Sequence, residues 1–404
     1  MVGGRLSSTG PRCPPSPAPP ILGCMSDKPA GNASIVSPDD QTVTFVELFF
    51  DLVFVFSVTQ VAHLLARHLD WTGVGQAVLV FWLVWWAWTQ FTWALNAADT
   101  THVGVELGTL VATGVAFFMA VGLPGAFGDN AIWFALPYVV VRVIGLAIYI
   151  RVTWVGDPTQ HAAVRGFALM SVGGLAAVLA GAIAGPPALY WLWGLAILLD
   201  VAAALVGGEA EGWNLHPDHF AERHGLFVII ALGESLIVAG VGLIGLEISP
   251  TVIGLGAMTV ALVCALWWTY FGRAKSVLDA ELESAEGVRR TKLARDVYSL
   301  LHFPMILGVV GVAVALEAVV HHPSDPLDLA GRVALAAGVA LFTGIIGLAI
   351  WRATGKPPVL RLLLAAGTAA AVITVGGIAP VFSLAIAFGG VALMAVGEHR
   401  AQAR

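Results

Sequence analysis

The sequence predicts an all-α fold, a polytopic bundle of about twelve transmembrane helices arranged as two six-helix repeats. Of its 404 residues, 58% are hydrophobic and only 11% are charged, whereas a soluble domain carries about 25% charged residues. Apolar segments long enough to span a bilayer, which takes about 20 helical residues, recur along the whole chain. Lipid rather than water is therefore the predicted solvent for most of the polypeptide.

Twelve segments qualify as membrane spans. Their approximate bounds are 44–66, 76–98, 102–122, 131–150, 162–184, 188–207, 220–246, 251–272, 295–317, 329–351, 358–377 and 379–397. The predicted domains are a disordered Pro/Ser/Gly-rich leader at 1–43, a first repeat at 44–207, a linker at 208–219, a second repeat at 220–397 and a cytoplasmic tail at 398–404. Either Met1 or Met25 can be the true start of the chain.

The basic residues predict the orientation, since Lys and Arg collect on the cytoplasmic side of membrane proteins. If both termini are cytoplasmic, most of the 20 basic residues fall on the inner side, and only Arg67 and Arg332 fall on the outer side. An odd number of spans in either half would destroy this asymmetry. We therefore predict an even number of spans, with both termini in the cytoplasm.

Composition also argues against several classes of function. The formal net charge of -6 gives no reason to expect a nucleic-acid partner. The three cysteines, Cys13, Cys24 and Cys264, indicate neither a disulfide framework nor a thiolate metal site. The sequence has no phosphate-binding loop, dinucleotide fingerprint or His-Glu-x-x-His pair. We predict no metal and no cofactor, and a role other than enzymatic catalysis is favoured.

Similar residues recur at corresponding places in the two halves, which predicts an internal repeat. The recurring residues are Phe45-Val46-Glu47 and Phe220-Ala221-Glu222, Trp85-Trp86 and Trp267-Trp268, and His102 and His302. Because each half has an even number of spans, both halves would insert with the same orientation.

Glu47 and Asp51 are the candidate functional residues of the first span. They lie four residues apart, so they share a helix face and are about 6 Å apart along the axis. An ionisable group inside the bilayer costs several kcal/mol unless it is paired or hydrated. Two neighbouring carboxylates suit proton exchange or cation binding. The alternative for Glu47 is that it only favours the positive end of the helix dipole.

The seventh span is the richest in polar residues, with Glu222, Arg223, His224 and Glu234 as candidates. Arg223 and Glu234 are separated by about 16 Å along the helix and cannot pair with each other. Arg223 therefore needs a partner on another helix, and we expect that partner to be Asp51. Glu234 lies near the middle of the membrane, where a carboxylate is most costly. Its alternative role is a structural hydrogen bond to a neighbouring helix.

The second span carries an aromatic and polar stripe at helical spacing that includes Trp86. Helix packing is a more common use of such a stripe than cation binding. With His102 and His302, Trp86 completes the set of candidate binding or translocation residues. Other polar residues within or beside the spans are Gln60, His63, Gln90, Asn96, Asp99, Glu106, Arg142, Asp200 and Glu317.

Two motifs resemble one known family. The decapeptide Glu-Leu-Phe-Phe-Asp-Leu-Val-Phe-Val-Phe at 47–56, and the tracts Glu222–Phe227 and Leu232–Ser235, are similar to the bacterial low temperature requirement A family over residues 42–397. The resemblance implies a multi-pass protein of the bacterial plasma membrane that is associated with growth in the cold, and it implies no particular activity. A weaker likeness is to two-repeat endolysosomal potassium channels. The second half departs from their pattern, because Leu226 stands where the pattern has an aspartate.

The leading functional hypothesis is a secondary transporter or ion pathway, with Glu47, Asp51, Arg223 and Glu234 lining a polar route between the halves. Its expected partners are membrane lipid, an ion or small solute, and a second copy of the chain in a homo-oligomer. One alternative is a membrane-embedded enzyme that acts on a lipid or isoprenoid through the same carboxylates and His224. Another is a non-catalytic scaffold or sensor.

Overall fold

The computed structural model describes Met1 and residues 34–38, 41–156, 158–207 and 215–402. The chain divides into Met1–Ala33 and Ser34–Arg404, and the fold described below is that of the second part. Most of the predicted leader (1–43), most of the linker (208–219) and the last two residues of the tail lie outside the described residues. The domain bounds therefore stay predictions.

Six long helices form the first half, at the places of the first six predicted spans. They are α1 (Phe45–Arg67), α2 (Trp71–Ala97), α3 (Val103–Gly122), α4 (Ile132–Val155), α5 (His161–Ala184) and α6 (Ala188–Gly207). Polar side chains cap several N-termini, where backbone N–H groups lack partners within the helix. Asp70, for example, accepts a hydrogen bond of 2.8 Å from Gly73 N at the start of α2.

Eight helices follow in the second half. They are α7 (Pro217–Leu243), α8 (Pro250–Thr269), α9 (Lys275–Ser284), α10 (Gly287–Leu293), α11 (His302–His321), α12 (Leu329–Thr354), α13 (Val359–Thr374) and α14 (Pro380–Gln402). A π-helical turn at Tyr270–Ala274 joins α8 to α9, and a π-helical segment at Ala294–Leu301 joins α10 to α11. The described residues contain no strand, and Val36 and Ala98 form one isolated bridge.

The two π-helical segments join their neighbouring helices into two continuous rods, Pro250–Ser284 and Gly287–His321. Both rods are longer than a membrane span requires. Each has 35 residues and rises about 52 Å, against a hydrocarbon core of about 30 Å. The polar helix α9 and the basic helix α10 therefore extend beyond the apolar part, which the predicted spans at 251–272 and 295–317 did not anticipate. Leu278, Leu282 and Leu293 hold this hairpin to the bundle by packing in one cluster with Phe220 and Ala353.

The all-α polytopic fold is confirmed. Eleven helices or joined rods in the described part of the chain are long and apolar enough to cross a membrane. The exception among the predicted spans is α13, whose 16 residues fall short of the roughly 20 that span a bilayer. The protein is thus a multi-pass helical bundle, and its described residues form eleven full-length candidate spans and one shorter apolar helix.

Helix α1 lies at the centre of the packing and contacts α2, α3, α7 and α11. In the first half α1 packs on α3 and α3 packs on α4; in the second half α7 packs on α11 and α11 packs on α12. This correspondence agrees with two related halves. The repeat itself and the cytoplasmic location of both termini stay predictions.

Glycines allow α11 and α12 to approach closely. A Cβ atom on Gly338 would lie 2.6 Å from Val312 N and 2.8 Å from Gly308 O. Small residues at such crossings are typical of helix pairs in membranes, where close packing replaces the hydrophobic driving force. The pair is therefore closely packed, and α11 also contacts α7 and α1.

Candidate functional site

Four titratable side chains meet where α1 and α7 begin, and all four are fully buried: Glu47, Asp51, His219 and Arg223. The first turn of α1 fixes Glu47, because the backbone N and the hydroxyl of Thr44 each donate to Glu47 Oε2 at 3.0 Å. This capping box satisfies the helix start. The other oxygen, Glu47 Oε1, lies 3.1 Å from His219 Nε2 and 3.4 Å from Arg223 Nη1.

Arg223 is shared between the two carboxylates of α1. Its Nη2 donates to Asp51 Oδ1, which gives the pairing that the sequence favoured. Asp51 Oδ1 also accepts a hydrogen bond of 2.7 Å from Trp88 Nε1 on α2. Glu47 and Asp51 both reach this one guanidinium because a spacing of four residues places them on one helix face.

Asn96 determines the tautomer of His219. Asn96 Oδ1 accepts a hydrogen bond of 2.9 Å from His216 N, which fixes the orientation of the amide. Asn96 Nδ2 therefore faces His219 Nδ1, at 3.0 Å, and donates to it. Since that ring nitrogen is an acceptor, the proton is on Nε2, which donates to Glu47 Oε2 at 3.2 Å. His219 is thus neutral in this arrangement.

The charges in this cluster do not balance. With His219 neutral, two carboxylates face one guanidinium, which leaves one excess negative charge. Three other arginines are buried in the described part of the bundle, and none of them faces two carboxylates: Arg142 pairs with Asp200 at 3.0 Å, Arg361 with Glu398 at 2.5 Å and Arg295 with Asp296 at 2.6 Å. A buried charge without compensation is expensive.

Hydrogen bonding at the cluster is also incomplete. Among the described residues, neither Asp51 Oδ2 nor Arg223 Nε has a hydrogen-bond partner. Buried polar atoms are bonded in the great majority of cases, so each exception needs an explanation. An oxygen with a free lone pair beside an excess negative charge can accept a proton without breaking any existing bond.

Two histidines lie on the other side of Trp88. The ring of His224 is 4.9 Å from that of Trp88 and 5.3 Å from that of His302. His224 Nδ1 bonds the Phe220 carbonyl at 2.8 Å, while its Nε2 is buried and has no partner in the described chain. The structure thus brings together the candidate residues His224 and His302, which come from α7 and α11.

A chain of polar groups extends from these histidines towards the hairpin of α9 and α10. His302 Nε2 bonds the Tyr270 hydroxyl at 2.9 Å. The ring of His302 stacks on that of Tyr298, whose hydroxyl donates to Asp279 Oδ1 at 3.0 Å. Asp279 is partly exposed and pairs with Lys275 at 2.5 Å. Both tyrosines come from the π-helical segments, which are frequent at functional sites.

Glu234 lies further along the same α1–α7 contact. Thr59 on α1 donates a hydrogen bond of 2.8 Å to Glu234 Oε1, and Thr59 lies eight residues, about 12 Å, beyond Asp51. Glu234 is half-buried beside a cavity of about 10 Å³ between α1, α7 and α11. That volume suits about one water molecule.

Sequence comparison identifies the family. The profile of the Bacterial low temperature requirement A protein (LtrA) matches residues 42–396, which span every helix that forms the cluster. The chain belongs to the LtrA family. An uncharacterized protein of Rhizobium meliloti (strain 1021) is similar to this LtrA chain, with 26% identity over 315 residues that cover 75% of the chain and 76% of the relative. No solved structure matches the LtrA chain.

Three candidate residues of the LtrA chain lie apart from the cluster. Glu222 is exposed, although it is next to Arg223 in the sequence. His102 is the N-cap of α3, where its Nδ1 accepts a hydrogen bond of 3.1 Å from Gly104 N. Trp86 is buried and lines a cavity between the first half and the segment around Arg295. The residues that the structure brings together are Glu47, Asp51, Arg223, His224 and His302, with Glu234 further along the α1–α7 contact.

Sequence reasoning missed His219, Trp88 and Asn96 in this LtrA chain. A signal for His219 was present, because it precedes Arg223 by four residues and so lies on the same face of α7. Trp88 belongs to a run of tryptophans in which no single member stands out. Asn96 was recognised only as one of many polar residues, since no periodicity in the sequence indicates contact with α7.

Proposed function

We propose that this LtrA-family protein is a secondary transporter or ion pathway of the bacterial plasma membrane, and that the cluster of Glu47, Asp51 and Arg223 binds and releases one proton. The supporting observation is the charge imbalance between two carboxylates and one guanidinium in a fully buried site. One added proton makes the cluster neutral, which apolar surroundings favour. Asp51 Oδ2 and Glu47 Oε1, which make no hydrogen bond in the described chain, are the oxygens that are open to it.

Glu234 is the second proton-binding site of the proposed route. It lies in the same α1–α7 contact and is held by Thr59. Val55 is fully buried between Asp51 and Thr59 on one face of α1, so an apolar barrier separates the two acidic sites. Two proton-binding sites with a closed barrier between them are what a gated transporter requires, whereas a continuous water-filled pore would let ions leak.

The enzyme alternative gains no support from the surroundings of His224. A lipid or isoprenoid substrate would have to reach this ring, which is 0% exposed. Trp88, Tyr298 and His302 enclose it. The family's name refers to a low temperature requirement, and we propose that proton-coupled transport contributes to growth in the cold.

Infrared spectroscopy of the purified protein during a pH titration tests the proton site directly, because a protonated carboxyl group has its own C=O stretching band. We expect a band from the cluster that both Asp51→Asn and Glu47→Gln abolish. Glu222→Gln is the matched control, since it removes an exposed carboxylate one residue before Arg223, and it should leave the band unchanged. Identical spectra for the wild type and all three variants would refute the proposal.

Proton flux into proteoliposomes tests the route. With an imposed membrane potential, Asp51→Asn and Glu234→Gln should each lower the flux by about tenfold or more, equivalent to at least 1.4 kcal/mol in the barrier. Glu222→Gln should transport like the wild type. Wild-type flux in both Asp51→Asn and Glu234→Gln would exclude a pathway through these carboxylates.

A further inference from the structure

A second cavity lies away from the acidic cluster and is unused by the proposed route. It has a volume of about 50 Å³ and is lined by α2, α4, α5 and α6 on one side and by α10 and the π-helical segment Ala294–Leu301 on the other. This is several times the space that one water molecule needs.

The walls of this cavity are apolar and firmly held. Trp86, Tyr149 and Phe167 supply aromatic surface, and Ala203 and Ala204 on α6 leave the space that larger side chains would fill. Trp93 closes one side, and its indole N–H donates to Ser299 Oγ at 2.9 Å. A preformed apolar pocket with a few polar groups is the usual form of a small-molecule site.

One polar group in the cavity lacks a partner in the described chain. Thr89 is 1% exposed, and its hydroxyl makes no hydrogen bond there, although the residue lines the cavity. Thr92 on the same helix instead bonds the Trp88 carbonyl at 3.1 Å, as threonines in helices often do. The Thr89 hydroxyl is therefore available to an oxygen atom of a ligand.

The polar end of the cavity carries a guanidinium group. Arg295, which is 9% exposed, lines it beside Thr291. Arg295 Nε donates to Asp296 at 2.6 Å and its Nη1 donates to the Leu205 carbonyl at 3.4 Å. Asp296 is itself shared with Arg352, so it neutralises Arg295 only in part, and the guanidinium favours an anion at this end.

We propose that this cavity binds a small amphiphilic carboxylate, with the carboxylate at Arg295, Thr291 and the Thr89 hydroxyl, and a short hydrocarbon body among the aromatic side chains and the α6 alanines. The charge at one end, the apolar walls and the unpartnered hydroxyl together define this class. The volume, which is that of about four water molecules, suits a carboxylate of about four carbon atoms and excludes longer chains and the paired tails of a phospholipid.

Equilibrium binding of labelled butyrate to the purified full-length protein tests the site. We expect saturable binding at one site and no comparable binding of butylammonium, which has the same chain with the opposite charge. Ala204→Leu fills the cavity and should weaken butyrate binding by at least about tenfold. The matched control is Ala202→Leu on the same helix, because Ala202 does not line the cavity.

Arginine variants test the charged end. Arg295→Gln should weaken binding by about tenfold, Arg295→Lys should retain most of it, and Arg289→Gln, at an exposed arginine of the same hairpin, should have no effect. Asp51→Asn should also bind butyrate normally, which separates this site from the proton cluster. Absent or non-saturable binding, equal affinity for the cationic probe, or wild-type affinity in Ala204→Leu would each overturn the proposal.

Discussion

Arg223 is the residue on which the buried cluster depends. It supplies the positive charge for two carboxylates of another helix, and none of these side chains has any exposed surface. Its removal would leave two negative charges together in apolar surroundings, whereas removal of one carboxylate would leave a balanced pair. The excess negative charge therefore predicts that the protein tolerates loss of one carboxylate better than loss of the guanidinium.

We expect Arg223→Met to lower the free energy of unfolding by about 3–5 kcal/mol, the usual cost of breaking a buried ion pair from one side. Asp51→Asn should cost much less, because it removes the excess charge and Glu47 still faces Arg223. Thermal unfolding of both purified variants in the same detergent measures the difference. An equal loss of stability in both variants would show that the cluster is balanced in the wild type.

Single residues also show which contacts of the site can be predicted from the sequence and which cannot. The contact of Arg223 with Asp51 was predictable because charges inside a membrane must find partners. Glu222 was grouped with the site because it is adjacent in the sequence, but each helical residue turns by roughly 100°, which places it on another face. The role of Asn96 was hidden, since it depends on which helices pack together.

At the scale of helices, hydropathy located the membrane-spanning segments well and their ends poorly. The rods Pro250–Ser284 and Gly287–His321 extend past the predicted spans, because α9 and α10 are polar and give no apolar signal. Their apolar residues, such as Leu278 and Leu282, pack against the bundle from outside the predicted spans. Helix α13 is shorter than predicted for the opposite reason, since the apolar run continues beyond the helix end at Thr374.

The close crossing of α11 and α12 provides a prediction for this scale. Gly338→Ala should destabilise the protein by about 1–3 kcal/mol, because the added methyl group would overlap the backbone of α11. Gly367→Ala on α13 is the matched control, since nothing lies within 4 Å of a Cβ atom there. Alanine favours helix more than glycine by about 1 kcal/mol, so this control should be stabilising. Thermal unfolding of both variants measures the difference. An equal change in the free energy of unfolding for Gly338→Ala and Gly367→Ala would contradict the close contact of α11 and α12.

For the whole molecule, composition alone established the multi-pass architecture, because so few charged residues cannot cover a water-soluble surface of this size. The orientation rests on the distribution of basic residues, which the fold leaves untested. The hairpin of α9 and α10 carries many of those residues, so its location decides the orientation.

Cysteine labelling of intact cells measures that orientation. In a background with Cys13, Cys24 and Cys264 replaced by serine, single cysteines are introduced by Ser284→Cys and Asp325→Cys, both at exposed positions. An impermeant maleimide should label the variant at Asp325 and spare the one at Ser284 until the cells are opened. The reverse pattern would invert the predicted topology.

Asn96 bonds both the residue that precedes α7, His216, and the ring of His219. Both ends of its amide are engaged, the oxygen by His216 N and the nitrogen by the imidazole of His219. A doubly protonated imidazole would present a second donor to that nitrogen, and two donors repel. A proton on His219 Nδ1 would therefore break its hydrogen bond with Asn96, so one amide couples the start of a helix to the hydrogen bonding of a ring.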